Sequence, residues 1–477
     1  MIEFLLLEDE LAESNFIKEI LYPHSITHVR DLEEMQNLCK DDKLFFDYAV
    51  LDLSVPESSK ELEPKEKNGM EAFRLFRRIF PGTPILILTG STTNDYVTEI
   101  IQQTSLAKIW GSNEINTIDF LKKNRLDELG SKIDKIVIEI NNVKDINLYT
   151  SHSTYNLLHE ETKIKRLFSI IANKLNGFFV EITPVSPGYS GAKIHLLDVK
   201  DENNNTFSKI IVKSGSFDKI QEESKNYDDY VLTRLDHSKF PPKVDMTRFG
   251  AKDITSIYYK FLDNSTHMSL FNYMSSTFFD VDKIKLCFNL TKEWRDTSKT
   301  ELKTIGEIRR SFLSDENLDK LRAKFNLSWV TAFEQRRVNF KLCYNHCDFH
   351  GGNVFINPNS SVFHVIDYGD IKMSPIAIDA ICLELGFFYN KDSTISNWFV
   401  NAPTGSWADD DAFFAGSDIA KLKVIRDWAK ENASLKEFLA AAYCYTIRQL
   451  KFPDVQQNKL KETLAILDSI NIEFSKS

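Results

Sequence analysis

The chain has 477 residues, of which 42% are hydrophobic and 27% are charged, and its formal net charge at pH 7 is −10. This length exceeds what one hydrophobic core supports, and the acidic balance offers no clustered basic face for nucleic acid, so we expect two or three domains and no nucleic-acid partner. The chain shows no signal peptide, no apolar segment of membrane-spanning length and no framework spacing among its six cysteines. It is therefore expected to be a cytoplasmic protein with reduced thiols and no membrane partner.

Three short apolar runs in the first 124 residues each end in polar side chains. The runs cover residues 4–7, 48–51 and 85–88, and helical patterns at residues 11–21 and 70–80 lie between them. Alternating strands and helices predict a parallel α/β sheet with helices on both faces. Ligands of such sheets bind beyond the carboxyl ends of the strands, which is where Glu8, Asp9, Asp52 and Thr89 would meet.

On these four positions and their spacing, residues 1–124 resemble a response-regulator receiver domain, which has a flavodoxin-like fold. The resemblance implies that Glu8 and Asp9 hold Mg²⁺, that Asp52 accepts a phosphoryl group, and that Thr89 senses it. A histidine kinase or another phosphodonor would then be the partner. A divalent cation suits this chemistry because it offsets the repulsion between a carboxylate nucleophile and a phosphoryl donor.

Two features depart from the receiver pattern. Receivers carry a lysine after their fifth strand, whereas residues 107–112, interpreted as that strand, place Gly111 or Ser112 there and Lys108 too early. A charged insert at residues 58–67 also enlarges the loop after Asp52. The sequence thus leaves two alternatives, a receiver that is phosphorylated and a degenerate one that keeps the fold and only docks partners.

Apolar residues then recur with the spacing of a coiled-coil seam. They are Leu126, Leu129, Ile133, Ile136, Ile140 and Val143. This pattern predicts a helical linker over residues 125–150. One interpretation is a coiled coil that joins two chains into a homodimer through residues 126–143. The other is a single amphipathic helix packed on its own domain.

Residues 151–262 are expected to form a helix followed by strands. A glycine-rich turn that contains Gly188, Ser190 and Gly191 joins two of these strands, and the backbone amides of such a turn can cover phosphates. Lys213 lies on the next predicted strand, and Glu223 follows ten residues later in a helical stretch. A lysine fixed by a glutamate in this way holds nucleotide phosphates.

Two acidic loops carry the most specific signal. The first contains His346, Asp348 and Asn353, and the second places Asp367 directly after the apolar run that ends at Ile366. An Asp, an Asn five residues later and a second Asp after a strand can orient an acceptor hydroxyl and hold Mg²⁺ against ATP phosphates.

With these motifs, residues 160–475 resemble the kinase-like fold in its aminoglycoside- and choline-kinase branch, an α+β bilobal fold related to protein kinases. The resemblance implies that Asp348 is the base, that Asn353 and Asp367 bind Mg²⁺, and that Lys213 with Glu223 positions the ATP phosphates. Residues 263–477 would form a mainly helical C-lobe.

The same resemblance implies that His346 braces the catalytic loop and that Asp379 supports it from below, with Asp370 as a secondary candidate. The whole layout is similar to bacterial proteins in which a receiver precedes a kinase-like, ternary-complex-associated domain.

The short stretch between Asp370 and Ser374 leaves no room for the activation segment of protein kinases, which favours a small-molecule acceptor over a peptide. The acidic run at residues 407–411 would either receive a cationic substrate or face water. Four residues within the catalytic loop region also have spacings that could bind zinc, namely Cys343, His346, Cys347 and His350.

The sequence therefore predicts a multidomain phosphotransferase that uses ATP and Mg²⁺ and is regulated by a receiver-like domain in bacterial signal transduction. The alternative is a catalytically weak or inactive nucleotide-binding scaffold that recruits partners in a signalling or defence complex. A DNA-binding response regulator is disfavoured because no basic recognition helix follows the receiver.

Overall fold

A computed structural model describes residues 1–61, 63–90, 94–111, 113–151, 155–157, 160–185, 192–261, 267–400 and 402–477. The chain is multidomain and divides into two compact units. The first unit comprises Met1–Gln221 and Lys243–Phe261, and the second comprises Glu222–Pro242 and Leu262–Ser477. The glycine-rich turn with Gly188, Ser190 and Gly191 lies outside the described residues.

The first unit begins with a five-stranded parallel sheet. Its elements, with a small hairpin formed by β5 and β6, are β1 (Glu3–Leu7), α1 (Leu11–Leu21), β2 (Ser25–Val29), α2 (Leu32–Leu38), β3 (Tyr48–Asp52), α3 (Glu66–Ile79), β4 (Ile85–Thr89), α4 (Asn94–Gln103), β5 (Leu106–Ala107), β6 (Ile115–Asn116), β7 (Ile118–Lys122) and α5 (Leu129–Lys144). The strand order β2-β1-β3-β4-β7 is that of flavodoxin-like doubly wound sheets, which confirms the predicted fold. We call this the receiver-like sheet.

Alternate residues of these strands supply two separate hydrophobic cores. Leu5 and Leu7 face the core that contains α2 and α3, whereas Phe4 and Leu6 face the core that contains α1 and α5. Burial on both faces explains why the strands appear in the sequence as continuous apolar runs.

The fifth strand is β7, and the prediction that placed it at residues 107–112 is wrong. Residues Leu106–Ala107 pair instead with Ile115–Asn116 in the antiparallel hairpin, which is inserted between α4 and β7. β7 lies at the edge of the receiver-like sheet and pairs in parallel with β4. The hairpin lies at the position where the sequence pattern predicted the fifth strand.

The proposed linker is part of the receiver-like core. Five residues of the heptad pattern are 0–8% exposed and pack beneath the sheet, namely Leu129, Ile133, Ile136, Ile140 and Val143. The sixth, Leu126, is partly buried against the same core. The pattern therefore belongs to an amphipathic helix on its own domain. Because these apolar side chains are already covered within the chain, they do not form the exposed seam of a coiled coil. A homodimer through residues 126–143 stays a prediction.

A six-stranded sheet with α6 on one face completes the first unit, and we call it the kinase-like sheet. Its elements are β8 (Asn147–Tyr149), α6 (Thr162–Lys174), β9 (Phe179–Val185), β10 (Lys193–Lys200), β11 (Thr206–Ser216), β12 (Lys243–Thr247) and β13 (Ile254–Lys260). The strand order is β12-β13-β11-β10-β9-β8, and β8 is parallel to β9 while the other pairs are antiparallel. The division between the two units falls within α7 (Phe217–Asn226).

The second unit is mainly helical with two small sheets. Its elements are β14 (Met268–Ser269), α8 (Leu270–Met274), α9 (Val281–Cys287), α10 (Lys292–Arg295), β15 (Lys299–Thr304), α11 (Ile305–Arg309), α12 (Asp315–Phe325), α13 (Val330–Glu334), β16 (Arg337–Asn345), β17 (Val354–Asn357), β18 (Val362–Val365), β19 (Lys372–Pro375), α14 (Ile378–Tyr389), α15 (Asp410–Phe413), α16 (Lys423–Asn432), α17 (Leu435–Gln449), α18 (Pro453–Asn458) and α19 (Leu460–Lys476). The sheets have the orders β14-β17-β18 and β15-β16-β19. Within the part of the chain that the structure describes, no helix is long and apolar enough to cross a membrane.

Candidate functional sites

The four residues predicted for the receiver-like site lie at the carboxyl edge of the receiver-like sheet. Glu8 and Asp9 directly follow β1, while Asp52 and Thr89 are the last residues of β3 and β4. One carboxylate oxygen each from Glu8, Asp9 and Asp52 lies within 4.8 Å of the others, and Thr89 is 8% exposed beside Lys122 in the strand pairing. The sheet therefore brings all four residues to one edge.

A lysine that the sequence analysis did not select completes this site. Lys123 directly follows β7, and its Nζ lies 2.9 Å from Asp52 Oδ2, 3.1 Å from Glu8 Oε2 and 2.5 Å from Glu13 Oε2. The expectation of a receiver without its lysine is therefore wrong, because the true fifth strand delivers Lys123 to the carboxylates. Two consecutive lysines, Lys122 and Lys123, follow the Ile-Asp-Phe-Leu run at residues 118–121, and they were the available signal.

Burial controls the charge of these carboxylates. It raises the pKa of Glu8 to about 8, with a further increase from Asp52, while Lys123 opposes the shift. Burial likewise raises the pKa of Asp52 to about 6 against the attraction of Lys123, and it raises the pKa of Asp9. Hard oxygen ligands this close, with more negative charge than one lysine neutralises, fit Mg²⁺.

Charged residues of the insert at residues 58–67 form an ion pair with each other. An antiparallel bridge joins Val55 to Lys65, and Lys65 Nζ lies 2.7 Å from Glu61 Oε1. Both side chains of this pair are more than 40% exposed, so the pair contributes little to stability.

The second candidate site lies between β16 and β19 in the second unit. Asp348 is in the loop after β16, Asn353 directly precedes β17, and Asp367 follows β18 by one residue. Since Val354 pairs with Val365 and the Ile366 N–H donates to Asn353 O at 3.0 Å, the hairpin places Asn353 beside the residue that precedes Asp367.

Asp379, a residue of α14, fixes the start of the loop that contains Asp348. It is 1% exposed, and its two carboxylate oxygens accept the backbone N–H groups of His346 at 3.1 Å and Cys347 at 2.9 Å. His346 Nε2 lies 2.9 Å from Ile366 O, which ties the loop to the residue before Asp367. Charge-assisted hydrogen bonds to buried backbone groups fix a loop strongly.

The Asn353 side chain is oriented by the loop. Its Nδ2 donates to Asp348 O at 2.9 Å and is 3.4 Å from Asp348 Oδ2, so its Oδ1 is the atom left for a cation. Asn353 Oδ1 and the Asp367 carboxylate are hard oxygen donors of the kind Mg²⁺ binds, so the residues fit this metal. Asp348 is 37% exposed, so its carboxylate is accessible to solvent.

Two residues of this site have left-handed backbones. Cys347 has φ 60° and Asp367 has φ 68°, a region that costs non-glycine residues about 1–3 kcal/mol. The hydrogen bonds to Asp379 offset that cost at Cys347. Such conformations concentrate at active sites, where the surrounding structure enforces a required geometry.

The two residues of the proposed lysine–glutamate pair belong to different units of the chain. Lys213 lies in β11, opposite Ile194 of β10 and Ile257 of β13, and belongs to the first unit. Glu223 is 1% exposed in α7 and belongs to the second unit, as does Asn226, whose Nδ2 donates to Tyr368 O at 3.0 Å. The helix of Glu223 is thereby connected to the loop that follows Asp367.

Arg448 of α17 is a further residue that sequence reasoning missed. Its Nη2 lies 3.2 Å from Asp370 Oδ2, and its side chain is 13% exposed. Burial disfavours the charge of Arg448, but the carboxylates of Asp370 and then Asp348 raise its pKa. No local sequence motif predicts a role for Arg448, because it lies 78 residues from Asp370 in the chain.

The acidic run at residues 407–411 has a structural role for two of its aspartates. Asp409 accepts the Ala412 N–H at 3.2 Å and caps α15, and Asp410 pairs with Arg426 at 3.0 Å and Lys430 at 2.6 Å. The charge of Asp410 is thus already paired, whereas Asp409 and Asp411 are exposed to water.

The zinc interpretation is wrong. Among the described residues, which include all four candidates, the only ligand atoms that converge in a metal-binding group are those of Glu8, Asp9 and Asp52. Cys347 Sγ lies instead 3.2 Å from Ser374 Oγ, and burial raises the pKa of its thiol, which disfavours the thiolate that zinc requires.

Fold and sites thus define a multidomain protein with a receiver-like α/β part followed by a part with a kinase-like fold. Residues 285–423, which contain the catalytic loop together with Asp367 and Asp379, match the model of the phosphotransferase enzyme family APH. No curated protein matches the chain.

Solved structures resemble each part separately. A CheY-like response regulator receiver domain from Methanospirillum hungatei JF-1 is 18% identical over 29% of this chain and 98% of that chain, with a TM-score of 0.21. The chemotaxis protein CheY4 of Vibrio cholerae is 20% identical over 28% of this chain and 98% of its own, also with a TM-score of 0.21. An aminoglycoside-3'-phosphotransferase of type VIII is 14% identical over 56% of this chain and 93% of its own, with a TM-score of 0.35.

Proposed function

We propose that the chain is an ATP- and Mg²⁺-dependent phosphotransferase of the aminoglycoside-phosphotransferase-like type, regulated by its receiver-like part. The observation that carries this proposal is the braced loop and hairpin that bring Asp348 and Asn353 together beside the residue preceding Asp367. This arrangement falls inside the region that matches the phosphotransferase enzyme family.

Each residue has a defined task in this reaction. Asp348 accepts the hydrogen bond of the acceptor hydroxyl and orients it for attack on the γ-phosphate. Asn353 and Asp367 hold Mg²⁺, which when bound neutralises charge on the phosphate oxygens. We assign Lys213 and Glu223 to positioning the α- and β-phosphates, and Gly188, Ser190 and Gly191 to binding the nucleotide.

We favour a small molecule over a peptide as acceptor. Lys372, only two residues after Asp370, already pairs with Asn345 in the β16–β19 sheet, and Ser374 pairs with Cys343. The chain between Asp370 and the sheet is therefore too short to form the activation segment with which protein kinases hold peptides.

The receiver-like part would set the activity in response to a phosphodonor such as a histidine kinase. Asp52, with Lys123 and the Mg²⁺ ligands Glu8 and Asp9, is the proposed phosphoacceptor. We assign the protein to the cytoplasm, where ATP is available and its six cysteines, all free thiols, stay reduced.

ATP turnover in the presence of Mg²⁺ tests the catalytic assignment. The Asp348→Ala variant should release ADP about 10²–10³-fold more slowly than wild type, the range for a general base, with little change in nucleotide affinity. Asp418→Ala, which removes an exposed aspartate paired with Lys421, is the matched control and should behave as wild type.

Equal turnover by wild type and Asp348→Ala would refute the role of Asp348. Binding of Mg²⁺-ATP by wild type without any turnover would favour the nucleotide-binding scaffold instead.

A further inference from the structure

The kinase-like sheet contacts the receiver-like sheet at the edge opposite Asp52. Gly82 precedes β4, and its backbone exchanges hydrogen bonds with the turn before β13: Gly82 N–H donates to Lys252 O at 2.6 Å and Gly250 N–H donates to Gly82 O at 2.8 Å. The ammonium of Lys252 lies 5.2 Å from the ring centre of Phe80. A Cβ at Gly82 would lie 2.7 Å from Lys252 O, so this contact requires glycine.

A buried ion-pair cluster joins the same two sheets. Asp47 directly precedes β3, and its Oδ1 lies 2.8 Å from Arg166 Nη2 of α6. Lys144, the last residue of α5, places Nζ 3.3 Å from Asp47 Oδ2. The Asp47 and Arg166 side chains are 0% and 8% exposed. A charge pair this deeply buried costs several kcal/mol if one partner is removed, so it holds the interface in one arrangement.

The hairpin insertion at residues 105–117 adds a third contact. Trp110 is 1% exposed, and its carbonyl accepts the Nδ2 of Asn173 from α6 at 2.8 Å. Gly250, at φ 92°, approaches so closely that a Cβ there would lie 3.1 Å from Trp110 Nε1 and 2.6 Å from Ile170 Cδ1. The segment mistaken for a strand in the sequence is thus a docking element for the kinase-like sheet.

Helix α5 connects the Asp52 edge to this docking edge. It is preceded by the turn that begins at Lys123, the lysine shared by Asp52, Glu8 and Glu13. It ends at Lys144 in the Asp47 cluster and leads within three residues to β8, which pairs with β9 of the kinase-like sheet. One helix therefore has an ion-pair cluster near its start and another at its end.

We propose that α5 transmits the charge state of the Asp52 site to the kinase-like sheet, with Lys123 as the sensing residue and the Asp47–Arg166–Lys144 cluster as the output contact. The proposal deepens the regulation included in the proposed function and rests on it for the role of Asp52. An anionic group beside Asp52 offers Lys123 a new partner and so changes the contacts at the start of α5. A helix packed in a close-packed core moves as a unit, because such cores resist gradual deformation.

Hydrogen exchange of the full chain in constant Mg²⁺, with and without beryllium fluoride as a phosphoryl-like anion, tests this route. In wild type the anion should change exchange rates at least about twofold in peptides of β8 and α6, as well as around Asp52. Arg166→Met should keep the response around Asp52 and lose it in α6. Arg74→Met, which breaks the Arg74–Glu99 pair within the receiver-like part, is the matched control and should respond as wild type.

Lys144→Met is a second variant that leaves the Asp47–Arg166 pair intact. It should also lose the α6 response, and it keeps the test possible if Arg166→Met fails to fold. The proposal would be overturned if α6 showed no change in exchange in wild type. It would also be overturned if α6 responded in both interface variants as strongly as it does in wild type. The readout does not depend on turnover, so an inactive second unit leaves the test intact.

Discussion

The two acidic sites of this protein differ in what offsets their charge. At the receiver-like edge, Glu8 and Asp52 are fully buried and share the ammonium of Lys123, which is 17% exposed. In the second unit, Asp348 is 37% exposed, and among the described residues its nearest ion-pair partner is His350 at 3.7 Å. The first site has a built-in cation, whereas the second is held in shape chiefly by hydrogen bonds to its backbone.

Under the proposed function, this difference matches the size of what each site would admit. A receiver-like site needs room only for a cation and a phosphoryl group, so it can be closed and stabilised by its own lysine. A phosphotransferase site must admit a nucleotide and an acceptor, so its acidic groups stay accessible and the counter-charge arrives with the substrate. Removing charges from the two sites should therefore affect different properties, catalysis in the second unit and stability in the first.

The largest effect is expected on turnover. Asp367→Ala should slow ADP formation at saturating Mg²⁺ by about 10³-fold, or about 4 kcal/mol in the barrier, because a metal-bound carboxylate acts mainly in the transition state. Asp370→Ala is the control, since Asp370 pairs with Arg448, and it should lose less than about tenfold. Similar losses in both variants would mean that Asp367 has no special role with the metal.

The next effect is expected on stability. Lys123→Met should lower the free energy of unfolding of the first unit by about 3 kcal/mol, because buried carboxylates lose their counter-charge. Urea denaturation would measure it. Lys132→Met removes a partly exposed lysine 2.5 Å from Asp119 and should cost less than about 1 kcal/mol.

Added Mg²⁺ should stabilise Lys123→Met more than wild type, since the cation replaces the lost ammonium at Glu8, Asp9 and Asp52. If Lys123→Met is no less stable than Lys132→Met, the built-in cation is not what holds the first site together.

The two sites also differ in how well the sequence predicted them. The central residues of the second site are close in sequence: Asp348, Asn353 and Asp367 all lie within residues 346–367, so short motifs contain them. The first site assembles residues from four strand ends. Three were predicted, because β1, β3 and β4 are central strands with continuous apolar runs. The fourth was missed because β7 is an edge strand, only partly buried, that follows an insertion.

Spacing alone could not decide between the two interpretations of α5. The same three- and four-residue intervals serve a coiled-coil seam and a helix packed on a sheet, and only the burial of Ile133 and Ile140 against the receiver-like sheet separates them. The interface contacts were beyond sequence reasoning for a related reason. Asp47 and Arg166 are 119 positions apart, and no local pattern links them.

Glu437 is a buried carboxylate whose pKa is raised by burial without a contribution from a second carboxylate. Glu437 of α17 is 1% exposed and accepts the Lys341 N–H at 2.7 Å, and burial raises its pKa to about 7, with Lys341 opposing the shift. A raised pKa means that the folded protein holds the proton more tightly than the unfolded chain. The resulting stabilisation is complete below about pH 4.5 and is lost as the pH rises through about 7.

Glu437→Gln keeps an oxygen acceptor for Lys341 but cannot ionise. It should match wild type near pH 4.5 and be more stable by about 2 kcal/mol at pH 8, where wild type must bury a charged carboxylate. Urea denaturation at both pH values measures this, and other titrating groups cancel in the comparison between the two proteins. If the difference in stability between Glu437→Gln and wild type is the same at both pH values, burial alone does not raise the pKa of Glu437. The raised pKa of Glu8 would then need its neighbour Asp52 as the main cause.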